Sequence, residues 1–350
     1  MTRAAFVIPG DISLPTGGYG YDRRVLARFA AHGVECMHIA LPGSYPSPTT
    51  GDLVATEAAL AALPADTVLL IDGLAFGAMP GDLVARIKQK IVALVHHPLC
   101  LEAGLTPMRQ RLLKQTETMA VAFAEHVVVT SPMTGRIVAS DFGVAQGKLT
   151  VAEPGTDRAE RAMGAGGQNN KRLLAVGSVV PRKAYDILIE ALSGLTYIPR
   201  WNLTIAGAER DEALAQHLRA MIRDLKLVDR INFAGAVSDT ALAILYRDSD
   251  LFVMSSLFEG YGMVLGEAMS YGLPIVCTTG GAATDTVPDA AGLKVPPGNM
   301  LALRTALGKA LTDENLRRRM AEASWAAGQK LPTWDDTARI IAAVLKKVSS

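Results

Sequence analysis

Cysteine is scarce in this chain: three in 350 residues, Cys36, Cys100 and Cys277, far apart and at no metal-ligand spacing. So sparse and odd a count suggests buried thiols in a reducing compartment rather than a disulfide framework or a cysteine-bound metal. Net charge is nearly absent too. The 35 basic and 34 acidic side chains leave a formal charge of +1, which gives no electrostatic reason to expect general nucleic-acid binding. Long apolar runs are missing. The opening "MTRAAFVIPG" is too short for a signal peptide or a spanning helix, and no later run reaches about 18 apolar residues. The expected location is the cytoplasm, with peripheral contact at the inner membrane face left open. The basic stretches "RIKQK" and "MRQRLLK" read first as solvated helix faces. Two glycine signatures are also lacking. Neither G-x-G-x-x-G nor a Gly-Lys-Ser/Thr phosphate loop occurs, which speaks against a nicotinamide dehydrogenase and a Walker-type nucleotidase. What is there is 49% hydrophobic and 20% charged residues, the make-up of a globular protein with a full core. The length predicts two domains.

Short apolar runs alternate with helical patterns almost from end to end. "AAFVIPG", "VECMHIA", "TVLLIDG", "IVALVHH" and "HVVVTS" read as strands of the first half, with "YDRRVLARFAAHG" as an amphipathic helix ending at Gly33. Near-continuous Val/Ile/Leu runs belong to parallel strands covered on both faces, and the β-α-β rhythm implies doubly wound sheets. The rhythm breaks at 158–171, rich in Gly, Asn and charge, and restarts with "RLLAVGSVV", "WNLTIAG", "INFAG", "DLFVMSS", "PIVCTT" and "GLKVPP". The expected organisation is an N-terminal Rossmann-like domain at 1–157 and a linker or exposed loop at 158–171. A C-terminal Rossmann-like domain follows at 172–330, then a final helix at 331–350 with Thr333 as its N-cap. Open α/β sheets bind ligands beyond the carboxyl ends of their strands, so a cleft between two such domains is the expected site.

Side chains at those strand ends are informative. In "LFEGYGMVLGEAMSYGLP", residues 257 to 274, a loop leaves a buried strand and a helix begins near Gly262 or Met263. The first-turn amides from Gly262 to Leu265 form a ready anion site, flanked by Glu259 before the helix and Glu267 one turn inside it. Two carboxylates around an anion site suit two sets of sugar hydroxyls flanking a diphosphate. For Glu267 alone, a carboxylate that favours the helix dipole is an equal reading. In "AVGSVVPRKAYDIL" a strand runs into Gly177, and Arg182 and Lys183 precede a helix, two cations suited to a leaving diphosphate. "VALVHHPLCLE" puts His96 and His97 at a strand end, where adjacent side chains face opposite ways, so one of them serves a site and His96 is preferred. Gly17, Gly18 and Gly20 in "PTGGYGYDRR" read as a flexible loop before a helix. Asp248 and Asp250 resemble a metal-binding Asp-x-Asp but sit at the amino end of their strand, and no metal site is expected.

These segments give the chain a resemblance, over nearly its whole length, to the family-four retaining glycosyltransferases of the GT-B fold. The most specific part is the Glu-x7-Glu stretch from Glu259 to Glu267. "AVGSVVPRK" resembles the family's phosphate-binding segment, and "PTGGYG", "VHHP" and "GLKVPPGN" are similar more loosely. The resemblance implies two Rossmann-like domains facing a cleft, with the last helix crossing back to the first. It also implies metal-independent hexosyl transfer, with retention, from a nucleoside-diphosphate sugar to an acceptor hydroxyl of a glycan, lipid or small molecule, and no other cofactor. It assigns Glu267 to ribose hydroxyls and Glu259 to the donor sugar. The amides of Gly262, Met263 and Val264 fall near sugar and phosphate, Lys183 and Arg182 on the diphosphate, and His96 on the donor sugar. Gly17 and Gly18 would shape the place where donor and acceptor meet. Many relatives carry an Arg directly after the glycine of the phosphate strand; Ser178 follows Gly177 here, and Arg182 is expected to supply that charge. A nucleotide-sugar epimerase or hydrolase, or a non-catalytic nucleotide-sugar-binding subunit, are the alternatives on the same fold.

Overall fold

Val, Ile and Leu in unbroken runs become the central strands of two parallel sheets, since only strands covered on both faces can be apolar at every position. The computed structural model describes residues 1–165, 170–198 and 200–350. In chain order the first half gives β1 (Thr2–Pro9), α1 (Gly17–Leu26), β2 (Val34–Leu41), α2 (Thr50–Ala61), β3 (Val68–Asp72), α3 (Gly73–Phe76), α4 (Gly81–Val84), β4 (Ile91–Val95), α5 (Pro107–Ala122), β5 (His126–Val129), α6 (Pro132–Phe142) and β6 (Leu149–Val151). The second half gives β7 (Lys171–Val176), α7 (Tyr185–Ser193), β8 (Trp201–Ala206), α8 (Glu212–Asp224), β9 (Ile231–Gly235), α9 (Asp239–Arg247), β10 (Leu251–Met254), α10 (Met263–Ser270), β11 (Ile275–Thr278), α11 (Ala283–Thr286), β12 (Gly292–Val295), α12 (Met300–Thr312), α13 (Glu314–Gly328) and α14 (Trp334–Ser349).

The first sheet has the order β2-β1-β3-β4-β5-β6 and the second β12-β11-β10-β7-β8-β9. Every pairing is parallel. By its internal contacts the chain divides into a unit of Met1–Gly155 with Pro332–Ser350, and a unit of Thr156–Leu331.

In the N-terminal unit, β3, β4 and β5 are buried at every residue. One face of the sheet, with Val7, Leu69, Ile71, Ala93, Val95, Val127 and Val129, packs with Tyr45, Leu60, Phe76, Met79 and Leu113. The strand read in "VECMHIA" is the edge strand β2, which exposes Glu35, Met37 and His38. Helix α14 lies against β1, β2, β3 and β5 and against α1. Thr333 caps it in a reciprocal box with Asp336. Thr337 Oγ1 donates to the Glu153 carbonyl at 2.7 Å, and the Arg24 guanidinium lies over the Trp334 ring at 5.1 Å.

The C-terminal unit has cores on both sides of its sheet. One is built on Leu173, Ala175, Leu203, Ile205, Val253 and Val276 with α7, α8 and α12. The other is built on Leu174, Phe252, Met254, Ile275 and Cys277 with α10. Of the expected linker, residues 166–169 lie outside the described residues. The described part is bonded to this unit: Arg158 donates to the Gly328 and Leu331 carbonyls, Arg161 pairs with Glu322, and the Met163 amide donates to the Arg247 carbonyl. Asp250 belongs to the same fastening, accepting from the Arg172 amide at 2.8 Å and the Ala165 amide at 3.3 Å. Both of its carboxylate oxygens thus serve the backbone at the amino end of β10.

Candidate functional site

The C-terminal site begins where β7 stops. Gly177 follows it with φ +152°, and a Cβ built there would lie 2.6 Å from Lys183 Cε. The missing side chain is the space through which the Lys183 stem runs, so this glycine is required by a close approach. Residues Pro181–Lys183 form a 3-10 turn, and Ala184 takes a left-handed φ of 48° before α7 starts at Tyr185. Three anchors fix this loop. Tyr185 donates its hydroxyl to the Gly177 carbonyl at 2.9 Å, Ser255 donates to the Lys183 carbonyl at 2.7 Å, and the Leu257 amide donates to the Arg182 carbonyl at 2.8 Å.

Lys183 is buried, and its Nζ lies 2.6 Å from Glu259 Oε1. Arg182 reaches Glu259 Oε2 at 2.9 Å, and Ser256 donates to Oε1 at 2.6 Å. Burial works against an ionised Glu259, but Lys183 and Arg182 outweigh it and hold the carboxyl down at about 2. The loop that carries Glu259 is clamped to the next strand's loop. The Glu259 amide donates to Gly280, the Ala282 amide donates to the Glu259 carbonyl, and Gly281, at φ +69°, would bring any Cβ within 2.2 Å of that carbonyl oxygen.

Helix α10 starts at Met263, behind Gly262 in the left-handed region at φ +81°. The amides of Met263 and Val264 open the helix and have no carbonyl of their own turn to bond. Gly262 lies beside Glu259: a Cβ there would be 3.8 Å from the Glu259 Cβ. Glu267, half-buried one turn on, accepts from the Tyr246 hydroxyl at 2.7 Å. Tyr246 is stacked between Tyr271 at 5.1 Å and Phe252 at 5.8 Å. Burial first, then the Glu267 charge, pushes the Tyr246 phenol well above its ordinary range, so it acts as a fixed donor. Ser178 is half-buried directly after Gly177, next to the β8 end at Gly207.

The N-terminal unit gathers a second group of polar side chains. The glycine-rich stretch is not a loop: Gly17, Gly18 and Gly20 form the first turn of α1, because Thr16 caps it by accepting from the Tyr19 amide at 3.1 Å. Gly18 faces the His96 ring, where a Cβ would lie 3.6 Å from Cδ2. His96 Nε2 lies 3.2 Å from Asp22 Oδ1 and 3.5 Å from Asp72 Oδ2. These are the one trio of potential ligand atoms among the described residues that lie within 4.8 Å of one another. His96 Nε2 thus stands between the two carboxyls, and Asp22 Oδ2 is left buried without a hydrogen-bond partner. His97 turns elsewhere and meets Glu102 at 3.2 Å.

Lys183, Arg182, Glu259, Gly177 and Gly262 therefore come together in one unit, as do Gly18 and His96 in the other. Sequence reasoning missed Ser256, Tyr246, Asp22 and Asp72. Only Asp72 carried a visible signal, since it ends the apolar run "TVLLID" at a strand's carboxyl end.

Residues 158–325 match the family model described as "Glycosyl transferases group 1". The chain is 28% identical over 249 residues to the mannosylfructose-phosphate synthase of Agrobacterium fabrum, covering 66% of this chain and 55% of that protein. It is 25% identical over 246 residues to a D-inositol 3-phosphate glycosyltransferase of Salinispora tropica, covering 64% of this chain and 51% of that one. The chain thus spans about half the length of these curated relatives. Among solved structures, the sucrose-phosphate synthase of Thermosynechococcus elongatus superposes with a TM-score of 0.82 at 20% identity, covering 99% of both chains. The Anabaena protein HepE in complex with UDP and glucose superposes with a TM-score of 0.78 at 17% identity, covering 99% of this chain and 100% of that one.

Proposed function

Because the chain belongs to the group 1 glycosyltransferases and carries the GT-B fold, we propose that it moves a hexosyl group from a nucleoside diphosphate to an acceptor hydroxyl, with retention and without a metal. The observation that carries this reading is the Lys183–Glu259–Arg182 cluster beside the start of α10. Two cations against one carboxylate leave a residual charge of about +1 at a helix N-terminus, which favours an anion. In the proposed complex Lys183 and Arg182 take the diphosphate, aided by the amides of Met263 and Val264. Glu259 holds donor-sugar hydroxyls, Glu267 holds the ribose, and Gly177 and Ser178 let the phosphates approach the backbone. His96, with Gly17 and Gly18, acts on the sugar side. The protein supplies positioning and charge stabilisation, and the leaving phosphate takes the acceptor proton.

A thermal-shift screen of nucleotide sugars tests this, with UDP-hexoses first because HepE is known with UDP and glucose. A true donor at a hundred times its dissociation constant adds about 2.7 kcal/mol of stability. Product analysis with and without acceptor then separates a transferase from an epimerase or hydrolase. No stabilisation by any nucleotide sugar, together with silent calorimetry, would sink the reading, whereas binding without any turnover would favour a non-catalytic nucleotide-sugar-binding subunit.

We further propose that one face of α5 meets an anionic membrane surface. Met108, Leu112, Met119 and Phe123 are 76%, 50%, 43% and 49% exposed, and their spacing puts them on one stripe of the helix and its C-cap. Leu112, Met119 and Phe123 border a cavity of about 890 Å³ lined also by Pro46, Pro48, Leu53, Pro80 and Leu113. Arg109, Arg111 and Lys114 flank the stripe, and the helix's one acid, Glu117, is buried with its carboxyl pushed by that burial up to about 8. Lys114 is paired across to Asp141 on α6 at 3.7 Å, but no acid of α5 itself is exposed, and apolar groups beside basic ones suit lipid headgroups. No described helix is long and apolar enough to cross a membrane. The chain is expected to sediment with phosphatidylglycerol vesicles and not with phosphatidylcholine ones, and Met119→Ser with Phe123→Ser should abolish this. Equal behaviour with both vesicle types would refute it.

A further inference from the structure

Two buried carboxylates on one imidazole are more than charge pairing needs. Asp22 is fully buried and Asp72 nearly so, yet one of them would neutralise His96. Asp72 also caps α3, its Oδ1 accepting from the Leu74 amide at 2.6 Å, so it is the burial of Asp22, which has no such second bond, that is costly unless it serves His96. Asp22 Oδ2, moreover, is a buried atom without a hydrogen-bond partner.

The arrangement fixes the ring rather than merely the charge. Both carboxylates meet the same nitrogen, Nε2, from two elements: Asp22 from α1 and Asp72 from the end of β3. The Tyr21 ring stands edge-on to the imidazole at 5.1 Å, and Thr130 donates to the His96 carbonyl at 3.0 Å. Gly18 brings no side chain to the ring edge. Nδ1 bonds to none of the described residues, and it is not among the buried polar atoms that lack a partner; the side chain as a whole is 22% exposed. One nitrogen is thus anchored inward and the other reaches the surface.

We propose that Asp22 and Asp72 are positioning residues that act through His96, anchoring Nε2 so that Nδ1 is presented as a standing N–H donor to an oxygen of the sugar substrate. With Nε2 protonated toward the carboxylates, a neutral ring would offer Nδ1 only as an acceptor; the donor requires the imidazolium. The charged and titratable groups facing the ring are Asp22, Asp72 and the Tyr21 phenol. Burial opposes the charged ring, but Asp22 and Asp72 together outweigh it and raise His96 to about 10. Burial pushes Asp22 itself up to about 7, with repulsion from Asp72 adding to it and His96 opposing. Burial also works against Asp72, yet hydrogen bonding and charge from His96 hold it below the usual carboxylate range. As pH rises through neutrality Asp22 ionises and strengthens the grip on an imidazolium already formed, so the donor is kept until His96 itself loses its proton.

The inference rests on the reading of the chain as a sugar transferase, and its test is readable without turnover. Nitrogen-15 histidine spectra of the full chain, with His96 assigned through His96→Gln, report the protonation of both ring nitrogens. His96 of the wild type should stay doubly protonated past pH 8. In Asp22→Asn its titration should fall by at least two pH units, and kcat/KM should fall about tenfold at pH 8 with recovery toward pH 6. A His96 that titrates near 6.5 in the wild type overturns the clamp, even if Asp22→Asn does not fold. So does an Asp22→Asn chain whose activity keeps the wild-type pH profile, since a merely structural aspartate would lower stability without moving that profile. If no donor is turned over at all, the transferase reading fails while the spectra still decide whether the clamp exists.

Discussion

Lys183→Ala is expected to lower kcat by roughly a hundredfold or more while leaving the chain folded. Lys183 Nζ is held 2.6 Å from Glu259 by a stem threaded past Gly177, so its charge is placed before any substrate arrives and costs no reorganisation during transfer. Removing one such preorganised charge contact from a leaving group costs about 3 kcal/mol in the barrier, or about 150-fold in rate. Stability suffers less, because Glu259 keeps Arg182 at 2.9 Å and Ser256 at 2.6 Å. Lys183→Arg should rescue poorly, since the planar fork does not follow the path of the lysine stem. Steady-state kinetics beside a melting curve decide the matter. A mutant within threefold of wild-type turnover removes Lys183 from the reaction, and one that loses activity only in proportion to its unfolded fraction reduces it to a structural role.

How much of this was legible in the chain depends on how far apart the partners are. The strands were plain because burial on both faces leaves runs such as "IVALV" and "HVVV" with no polar break. Lys183 and Glu259 could be nominated separately because each follows a strand that reads clearly, although 76 residues separate them. Their direct bond was not legible, since it depends on β7 and β10 being neighbours in the sheet. The same holds for Asp22, Asp72 and His96. The order β2-β1-β3-β4 places the carboxyl ends of β1, β3 and β4 side by side, and only then do a helix aspartate and two strand ends meet. Local chemistry misled in one place. Three glycines in four residues favour a loop, but the Thr16 cap and the apolar face of Tyr21 and Val25 draw Gly17, Gly18 and Gly20 into α1. The half-buried Glu267 was found through its spacing, whereas its partner Tyr246 lies on a different helix, α9, with no pattern to single it out.

Glu259→Gln is expected to separate stability from binding in a way that the Lys183 variant does not. The amide keeps the shape but leaves the buried Lys183 and the half-buried Arg182 against a neutral group, and breaking a buried pair by removing one partner costs about 3–5 kcal/mol. The C-terminal unit should therefore melt about 10 °C lower. The sign of the pH effect follows from the depressed carboxyl. Glu259 titrates at about 2 when folded, against 4.5 for the free side chain, so its contribution is present above pH 4.5 and is lost as pH falls toward 2. The wild type should lose stability across that window, and Glu259→Gln should show a flatter profile there. Turnover should drop at least a hundredfold, because Glu259 is also proposed to hold the donor sugar. The decisive comparison is ligand rescue. A nucleoside diphosphate that lies on Lys183 and Arg182 replaces the missing carboxylate, so saturating diphosphate should raise the melting temperature of Glu259→Gln by more than that of the wild type. Equal shifts in the two proteins would place the diphosphate away from these cations, and with it would go the assignment of Lys183 and Arg182 to the leaving group.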